Sequence, residues 1–224
     1  VTKIAGPTQS EAEERAQFML RMRAKGVGDI RLLRALERAP RAMFMPQRYA
    51  DISWRDIAMP IGCGQTAPPP SIVAAMIQAL DVRSGARVLE IGTGSGYAAA
   101  LLAQLAREVV SLERFQTLAV EAAERLAAFG LDNVAVAYAD AHSFPQASPG
   151  FDRILVHALI EAPAEEFTRW LAPGGALVAA MADESAGGQR IVRLERDAAG
   201  DMQAAARGAA RTFMTLARGV AQAL

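Results

Sequence analysis

Cysteine is nearly missing from this chain, which has one residue of that type, Cys63, in 224 positions. That excludes an intramolecular disulfide and any cysteine-cluster metal site, and it suits a reducing compartment. Histidine is almost as scarce, with only His142 and His157, so no metal centre is expected. Charge of either sign is not in excess: Lys plus Arg and Asp plus Glu number 24 each. No global field therefore draws the protein to nucleic acid or to anionic lipid. No apolar run reaches the ~18 to 20 residues that a membrane helix needs. The opening Val1-Thr2-Lys3-Ile4-Ala5-Gly6-Pro7 also lacks the apolar stretch of a signal peptide. The expectation is a cytoplasmic protein with neither nucleic-acid nor membrane partners.

What the chain does have is 52% apolar and 21% charged residues, enough to bury a large core in one α/β domain. The spacing predicts a helix over 10–24 and a second after Asp29 that stops before Pro40. Residues 41–70 show no clear period. So long an irregular stretch reads either as a functional loop or as a rigid proline-rich connector, given Pro68-Pro69-Pro70. Helical spacing returns at Ile72, Val73, Met76, Ile77 and Leu80. From residue 87 strands and helices alternate: strand 87–91, helix 97–105, strand 109–112, helix 117–128, strand 134–139, strand 151–156, helix 164–171, the turn Ala172-Pro173-Gly174-Gly175 and strand 176–181. Such alternation predicts a Rossmann-like, doubly wound, mostly parallel sheet covered on both faces. After Gly187-Gly188 a strand over 189–195 and a returning strand over 209–216 would form an antiparallel edge; the alanine-rich 203–206 and 217–223 leave a helical alternative open. The organisation expected is a single domain over 1–224, with a helical cap and loop over 1–80 and the Rossmann-like core over 81–224.

The most telling stretch is Val88-Leu89-Glu90-Ile91-Gly92-Thr93-Gly94-Ser95-Gly96-Tyr97, where an apolar strand gives way to a helix. Glycines there accept backbone angles closed to other residues and let a ligand lie on the main chain. Their spacing is tighter than the G-x-G-x-x-G of dinucleotide binders, whose helix N-terminus serves a pyrophosphate. An acidic residue at the strand end, Glu90, is an odd neighbour for a phosphate but suits a cationic amino group. Glu113 follows the next strand, where doubly wound folds place an acid on ribose hydroxyls. Asp140 ends the third strand, within reach of an adenine. Sulfonium, amine and nucleoside together point to S-adenosylmethionine (AdoMet). Acids near helix starts also serve as caps, so it is the three in order that carry this reading.

These residues resemble the protein-L-isoaspartate O-methyltransferases, a branch of the class I AdoMet-dependent methyltransferases. Arg87 to Tyr97 matches that family's R-V-L-E-I-G-T-G-S-G-Y residue for residue. Met59-Pro60-Ile61-Gly62-Cys63-Gly64-Gln65-Thr66 is similar to its L-P-I-G-x-G-Q-T segment, which is more particular to the family than the glycine motif. Arg38-Ala39-Pro40-Arg41-Ala42-Met43-Phe44, Val110-Ser111-Leu112-Glu113-Arg114, Phe151-Asp152-Arg153-Ile154 and Leu171-Ala172-Pro173-Gly174-Gly175 resemble V-P-R-E-x-F, V-x-S-V-E-R, F-D-x-I and L-x-x-G-G. The resemblance implies methyl transfer from AdoMet to the carboxylate of an isoaspartyl residue in a damaged protein or peptide, releasing S-adenosyl-L-homocysteine. It implies a cofactor-binding set of Gln65, Thr66, Glu90, Gly92, Thr93, Gly94, Ser95, Gly96, Tyr97, Glu113, Arg114, Asp140 and Ala141.

Three departures fall on the acceptor side. The family continues Gln-Thr with Ile-Ser-x-Pro, and its serine helps to position the acceptor; this chain has Ala67-Pro68-Pro69-Pro70, and Pro68 offers neither hydroxyl nor N–H. His157 stands where the family usually carries threonine. Arg211-Thr212-Phe213-Met214-Thr215-Leu216 is only partly similar to the family's R-F-V-P-L. Thr66 and His157 are therefore the candidates for a catalytic role, His157 as a base or an acceptor-binding group or as a histidine bonded to nearby backbone. His142 is expected to be a polar loop residue, Cys63 a small loop residue and Ser71 a helix cap. A different acceptor, or AdoMet binding without turnover, stays open.

Overall fold

The computed structural model describes residues 9–145, 150–161, 165–183, 187–197, 199–209 and 213–221. Helix α1 (Gln9–Ala24) and helix α2 (Ile30–Arg38) open the chain. Asp29 caps α2 by accepting the Arg31 N–H at 2.8 Å, which satisfies a donor that the helix itself cannot. Leu32, Leu33, Ala35 and Leu36 form its buried stripe.

Residues 41–70 are built rather than loose. Two 3₁₀ turns, Arg41–Phe44 and Gln47–Ile52, lead to a two-stranded ribbon of β1 (Met59–Pro60) and antiparallel β2 (Thr66–Ala67). The buried Arg41 ties this stretch together, donating to the carbonyls of Ser53, Arg55, Ile57 and Pro68 at 3.4, 3.2, 3.1 and 2.9 Å. One guanidinium thus satisfies four backbone acceptors that no regular element would serve. Helix α3 (Pro70–Leu80) starts on proline, whose missing N–H costs nothing at that position. Ser71 does not cap it; the Asp56 carboxylate accepts the Ser71 N–H at 2.9 Å instead.

The seven-stranded sheet has the order β5-β4-β3-β6-β7-β8-β9. Its strands are β3 (Arg87–Ile91), β4 (Glu108–Glu113), β5 (Val134–Tyr138), β6 (Phe151–Ile160), β7 (Leu171–Asp183), β8 (Gly188–Arg196) and β9 (Met202–Ala209). The first five strands in that order pair in parallel, and β8 and β9 add an antiparallel edge. Helices α4 (Tyr97–Ala103), α5 (Gln116–Ala128) and α6 (Glu165–Thr168) follow β3, β4 and β6. Every residue of α4 is buried, so its alanines let the helix lie close under the sheet. Gly96 serves that packing too: at φ +88° it ends the turn, and a Cβ there would meet Ala122 Cβ at 3.2 Å. Because β4 lies on one side of β3 and β6 on the other, the chain reverses direction across the sheet at β3, and the crevice beyond those strand ends is where such folds bind ligands.

Several expected boundaries move. The helix expected over 97–105 stops at Ala103. The helix expected over 164–171 reduces to Glu165–Thr168, with residue 164 outside the described residues. The reason is that Phe151 N–H donates to the Trp170 carbonyl at 2.8 Å and draws the chain into the sheet at Leu171, so that the Ala172 to Gly175 turn becomes a bulge within β7. The returning edge strand is Met202–Ala209 rather than 209–216. Asp197 Oδ1 accepts the N–H groups of Ala199 and Asp201, both at 2.9 Å, and closes a tight turn that sets Arg196 opposite Met202. Alanines 204–206 are therefore strand, because pairing with β8 overrides their helical propensity. Residues 217–221 form no helix; residues 222–224, and Arg211 and Thr212, lie outside the described residues.

Candidate active site

At the carboxyl ends of β3, β4 and β6 lies a cavity of about 350 Å³. Its floor is the turn after β3. Gly92 N–H and Thr93 N–H donate to the Leu112 carbonyl at 2.8 and 3.2 Å, which pins the turn to the end of β4. Gly92 (φ +93°) and Gly94 (φ +54°) hold left-handed backbone angles that cost a Cβ-bearing residue about 1–2 kcal/mol each. A Cβ on Gly94 would point at Ile61 Cδ1, 3.4 Å away on the facing loop. A side chain there would occupy the space between turn and loop.

Glu113 closes one end of the floor. Its carboxylate accepts the Gly94 N–H at 2.8 Å and the Phe115 N–H at 3.0 Å, and it stays on the cavity wall while 5% exposed. Burial lifts its carboxyl above the ordinary value, the backbone N–H donors of Gly94, Phe115 and Arg114 pull it back, and the charge of Glu90 adds to the rise. Two anchoring bonds leave further lone pairs for a diol. Asp140 and Ala141 line the wall beyond. Burial pushes the Asp140 carboxyl up, but hydrogen bonds from the His142 and Gly219 N–H groups, the nearby His142 ring and the Ser143 hydroxyl outweigh it, so the group lies below the ordinary range.

The opposite wall comes from the loop over 58–69. Gln65, Thr66 and Pro68 all line the cavity, with Thr66 exposed on β2. Ser71, three residues beyond Pro68, does not line it. The loop is thus both rigid, through Arg41, and part of the site. Cys63 sits in the turn of the ribbon at φ +56° and is not on the wall.

Of the residues expected from sequence, all line the cavity except Glu90 and Gly96. Ser95 and Tyr97 do so from the start of α4; burial raises the Tyr97 phenol far above its ordinary value, and Arg41 opposes the rise. Burial in turn lowers the Arg41 guanidinium to about 10, against the pull of Tyr97 and Asp56. Arg114 lines the wall but sends its Nε to the Gly219 carbonyl at 3.0 Å. Glu90 is fully buried; it takes the Ser111 hydroxyl on one oxygen and His157 Nε2, at 3.1 Å, on the other. His157 itself lines the cavity. His142 is more enclosed than a loop histidine should be: its side chain is 9% exposed, Nδ1 lies 2.9 Å from Glu166, and its ring packs on Phe167.

Sequence reading missed Phe115 in the wall, and it marked residues 213–216 only as a departure on the acceptor side, where with Ala217 they line the cavity. Leu159 N–H donates to Met214 O and Leu216 N–H to Leu159 O, both at 2.9 Å, and Ala221 N–H to Arg114 O at 2.8 Å. These bonds carry the last described segment across the ends of β6 and β4. Phe115, two residues after Glu113, had a local signal in that spacing; residues 213–216 carried only their partial likeness to R-F-V-P-L, and their contacts with the distant strand ends are tertiary.

Comparison with known proteins follows the same lines. The sequence pattern of the family described as protein-L-isoaspartate(D-aspartate) O-methyltransferase matches residues 13–220. A protein-L-isoaspartate O-methyltransferase of Rhodopseudomonas palustris (strain BisB5) is 43% identical over 196 residues, covering 88% of each chain. One of Maricaulis maris (strain MCS10) is 44% identical over 181 residues, covering 80% of this chain and 84% of its own. Among solved structures, a candidate protein-L-isoaspartate O-methyltransferase of Plasmodium falciparum in complex with S-adenosyl-L-homocysteine superposes with a TM-score of 0.77 at 18% identity, over 91% of this chain and 98% of that one. A further protein-L-isoaspartate O-methyltransferase gives 0.76 at 24% identity, over 92% of this chain and 67% of the other. At those identities the superpositions show a shared fold.

Proposed function

The chain belongs to the protein-L-isoaspartate(D-aspartate) O-methyltransferase family, and we propose that the cavity beyond β3, β4 and β6 holds AdoMet beside the carboxylate of an isoaspartyl residue. The protein is an AdoMet-dependent methyltransferase of protein repair, acting on protein or peptide substrates. Bound AdoMet supplies a methyl group already activated on a sulfonium. A carboxylate is ionised and nucleophilic at neutral pH, so the chain need only align the two and keep water away.

The observation that carries the reading is the Glu113 carboxylate, tied at 2.8 Å to Gly94 N–H on the wall of a cavity floored by Cβ-free backbone. Such a floor fits a nucleoside lying on the main chain, and the anchored acid fits its ribose hydroxyls. In this assignment Gly92, Thr93, Gly94 and Ser95 cradle the cofactor, and Asp140 with Ala141 meets the adenine. Gln65 and Thr66 face it from the loop, and Tyr97 and Arg114 complete the walls. The acceptor enters between that loop and residues 213–217. Thr66, exposed on the same wall as Pro68, supplies the hydroxyl that Pro68 lacks, so the proline does not favour a different acceptor. Among the described residues no helix is long and apolar enough to cross a membrane; work in the cytoplasm, on damaged proteins, is part of the proposal.

The test is transfer from methyl-labelled AdoMet to an isoaspartyl peptide and to the same peptide carrying ordinary aspartate. Base-labile label on the isoaspartyl peptide alone is the expected result. Equal labelling of both, or of neither by folded protein that binds AdoMet, overturns the acceptor assignment.

A further inference from the structure

The segment that closes the far wall is fastened on either side of Thr215 and leaves Thr215 itself unbonded. Gln189, near the start of β8, clamps Phe213 with both ends of its amide: the oxygen accepts the Phe213 N–H at 2.7 Å, and the nitrogen donates to the Phe213 carbonyl at 3.0 Å. Leu159 takes the next pair of groups, the Met214 carbonyl and the Leu216 N–H, both at 2.9 Å. Together these make a parallel bridge between Leu159 and Thr215. The bonds of such a bridge use the residues before and after Thr215, so its own N–H and C=O point away from β6. Neither they nor the Thr215 hydroxyl have a hydrogen-bond partner among the described residues. The residue is exposed and lines the cavity.

The sheet decides where those groups look. β3 stops pairing with β6 at Val156, and β6 runs on with a bulge, Leu155 opposite Val178 but Leu159 opposite Ala180. With β7 on one side of Leu159, the segment takes the side that β3 has left, directly beyond the glycine turn. Side chains alternate along an extended segment. Phe213 joins the core cluster that holds Met59, Ile61 and Ala67 of the loop wall, whereas Leu216 packs on the opposite cluster with Ala141 and Phe167. Thr215 shares the face of Phe213, so its hydroxyl is turned toward the wall that carries Thr66 and Pro68.

That facing wall is poor in donors. Pro68 and Pro69 have no N–H, and the Pro68 carbonyl is already taken by Arg41. An acceptor carboxylate has two oxygens; one attacks the methyl group, and the other must be held if the first is to be aimed. Resting on the reading that this cavity joins AdoMet to an isoaspartyl carboxylate, we infer that Thr215 is a second acceptor-binding residue. Its hydroxyl and N–H hold the oxygen that does not attack, across the entrance from Thr66. The R-F-V-P-L pattern has proline at this place, with neither group to offer, so the donor pair is a feature of this chain.

The test is steady-state transfer from methyl-labelled AdoMet to an isoaspartyl peptide. Thr215→Val keeps the shape and the N–H and removes the hydroxyl. The carboxylate is fully charged before transfer and loses charge during it, so the loss falls on binding. The peptide KM should rise roughly 10- to 100-fold, the loss of a hydrogen bond to a charged group, with kcat within about threefold. Thr215→Ser should bring KM back to within about threefold of the unaltered protein. Calorimetric affinity for S-adenosyl-L-homocysteine should stay within about threefold in both variants, whereas a displaced segment would weaken it, because the same residues wall that cavity. Thr215→Ala serves where the valine variant fails to fold. An unchanged peptide KM, no rescue by serine, or a parallel loss of S-adenosyl-L-homocysteine affinity overturns the role of Thr215. Failure of the unaltered protein to label the isoaspartyl peptide overturns the acceptor assignment itself and is thereby told apart.

Discussion

Removing the Glu113 carboxylate tests the cofactor assignment most directly. The group makes two backbone bonds, to Gly94 at 2.8 Å and Phe115 at 3.0 Å, and faces the cavity with its remaining lone pairs. Glu113→Ala strips the ribose of charge-assisted hydrogen bonds worth about 1.5–3 kcal/mol. Binding of S-adenosyl-L-homocysteine should therefore weaken roughly 10- to 150-fold in calorimetry. The freed Gly94 and Phe115 N–H groups border an open cavity where water can reach them, so the cost to stability should stay near 1 kcal/mol, on the order of 2–4 °C in Tm. The pH dependence adds an independent arm. Burial raises the Glu113 carboxyl above its ordinary value, so the folded state favours the neutral form; that contribution to stability is present below the unfolded value and lost as pH rises through the folded one. Ligand binding runs the other way, because the ribose needs the ionised acid. Affinity should fall as pH drops through the raised value in the unaltered protein and stay flat there in Glu113→Ala. Unchanged affinity in the variant, or identical pH profiles for the two proteins, refutes the ribose assignment.

Gly94→Val places a branched side chain at φ +54° and toward Ile61, so S-adenosyl-L-homocysteine binding should disappear while circular dichroism stays native; retained binding would mean that the ligand lies elsewhere. Arg41→Met leaves the carbonyls of Ser53, Arg55, Ile57 and Pro68 without their donor. The desolvation cost of the buried guanidinium is recovered, so a net loss of about 2–4 kcal/mol is expected, seen as a fall in Tm of roughly 5–15 °C; an unchanged Tm contradicts the stapling role. Pro68→Ser restores a hydroxyl to the cavity wall without removing the carbonyl that Arg41 uses. With Thr66 supplying the hydroxyl already, kcat for isoaspartyl methylation should rise by less than about tenfold, and a larger rise would assign that task to position 68.

The parallel core was legible because its strands are short apolar runs at strand-helix-strand intervals, and Glu113 and Asp140 stand where such runs end. The edge was misplaced because alanine carries little information about pairing: residues 204–206 became strand only through the Asp197 turn and the register of β8. The cofactor cradle was visible in Gly92 and Gly94, whose left-handed angles few residues tolerate. Gly96 looked equivalent in the sequence, but its neighbour is Ala122 of α5 and not the cavity. Glu90 read as a ligand-facing acid; Ser111 and His157, 21 and 67 positions away, take both of its oxygens, and no local pattern announces that.

Sequence alone determined what backbone and side-chain chemistry enforce locally: the parallel sheet, the glycine floor, the acids at successive strand ends and the membership of one methyltransferase family. The tertiary structure decided which of those groups reach the cavity. Exposure depends on contacts between segments far apart in the chain, so the β6 bulge turns His157 inward, Arg41 fixes the loop wall, and residues 213–217 close the far side.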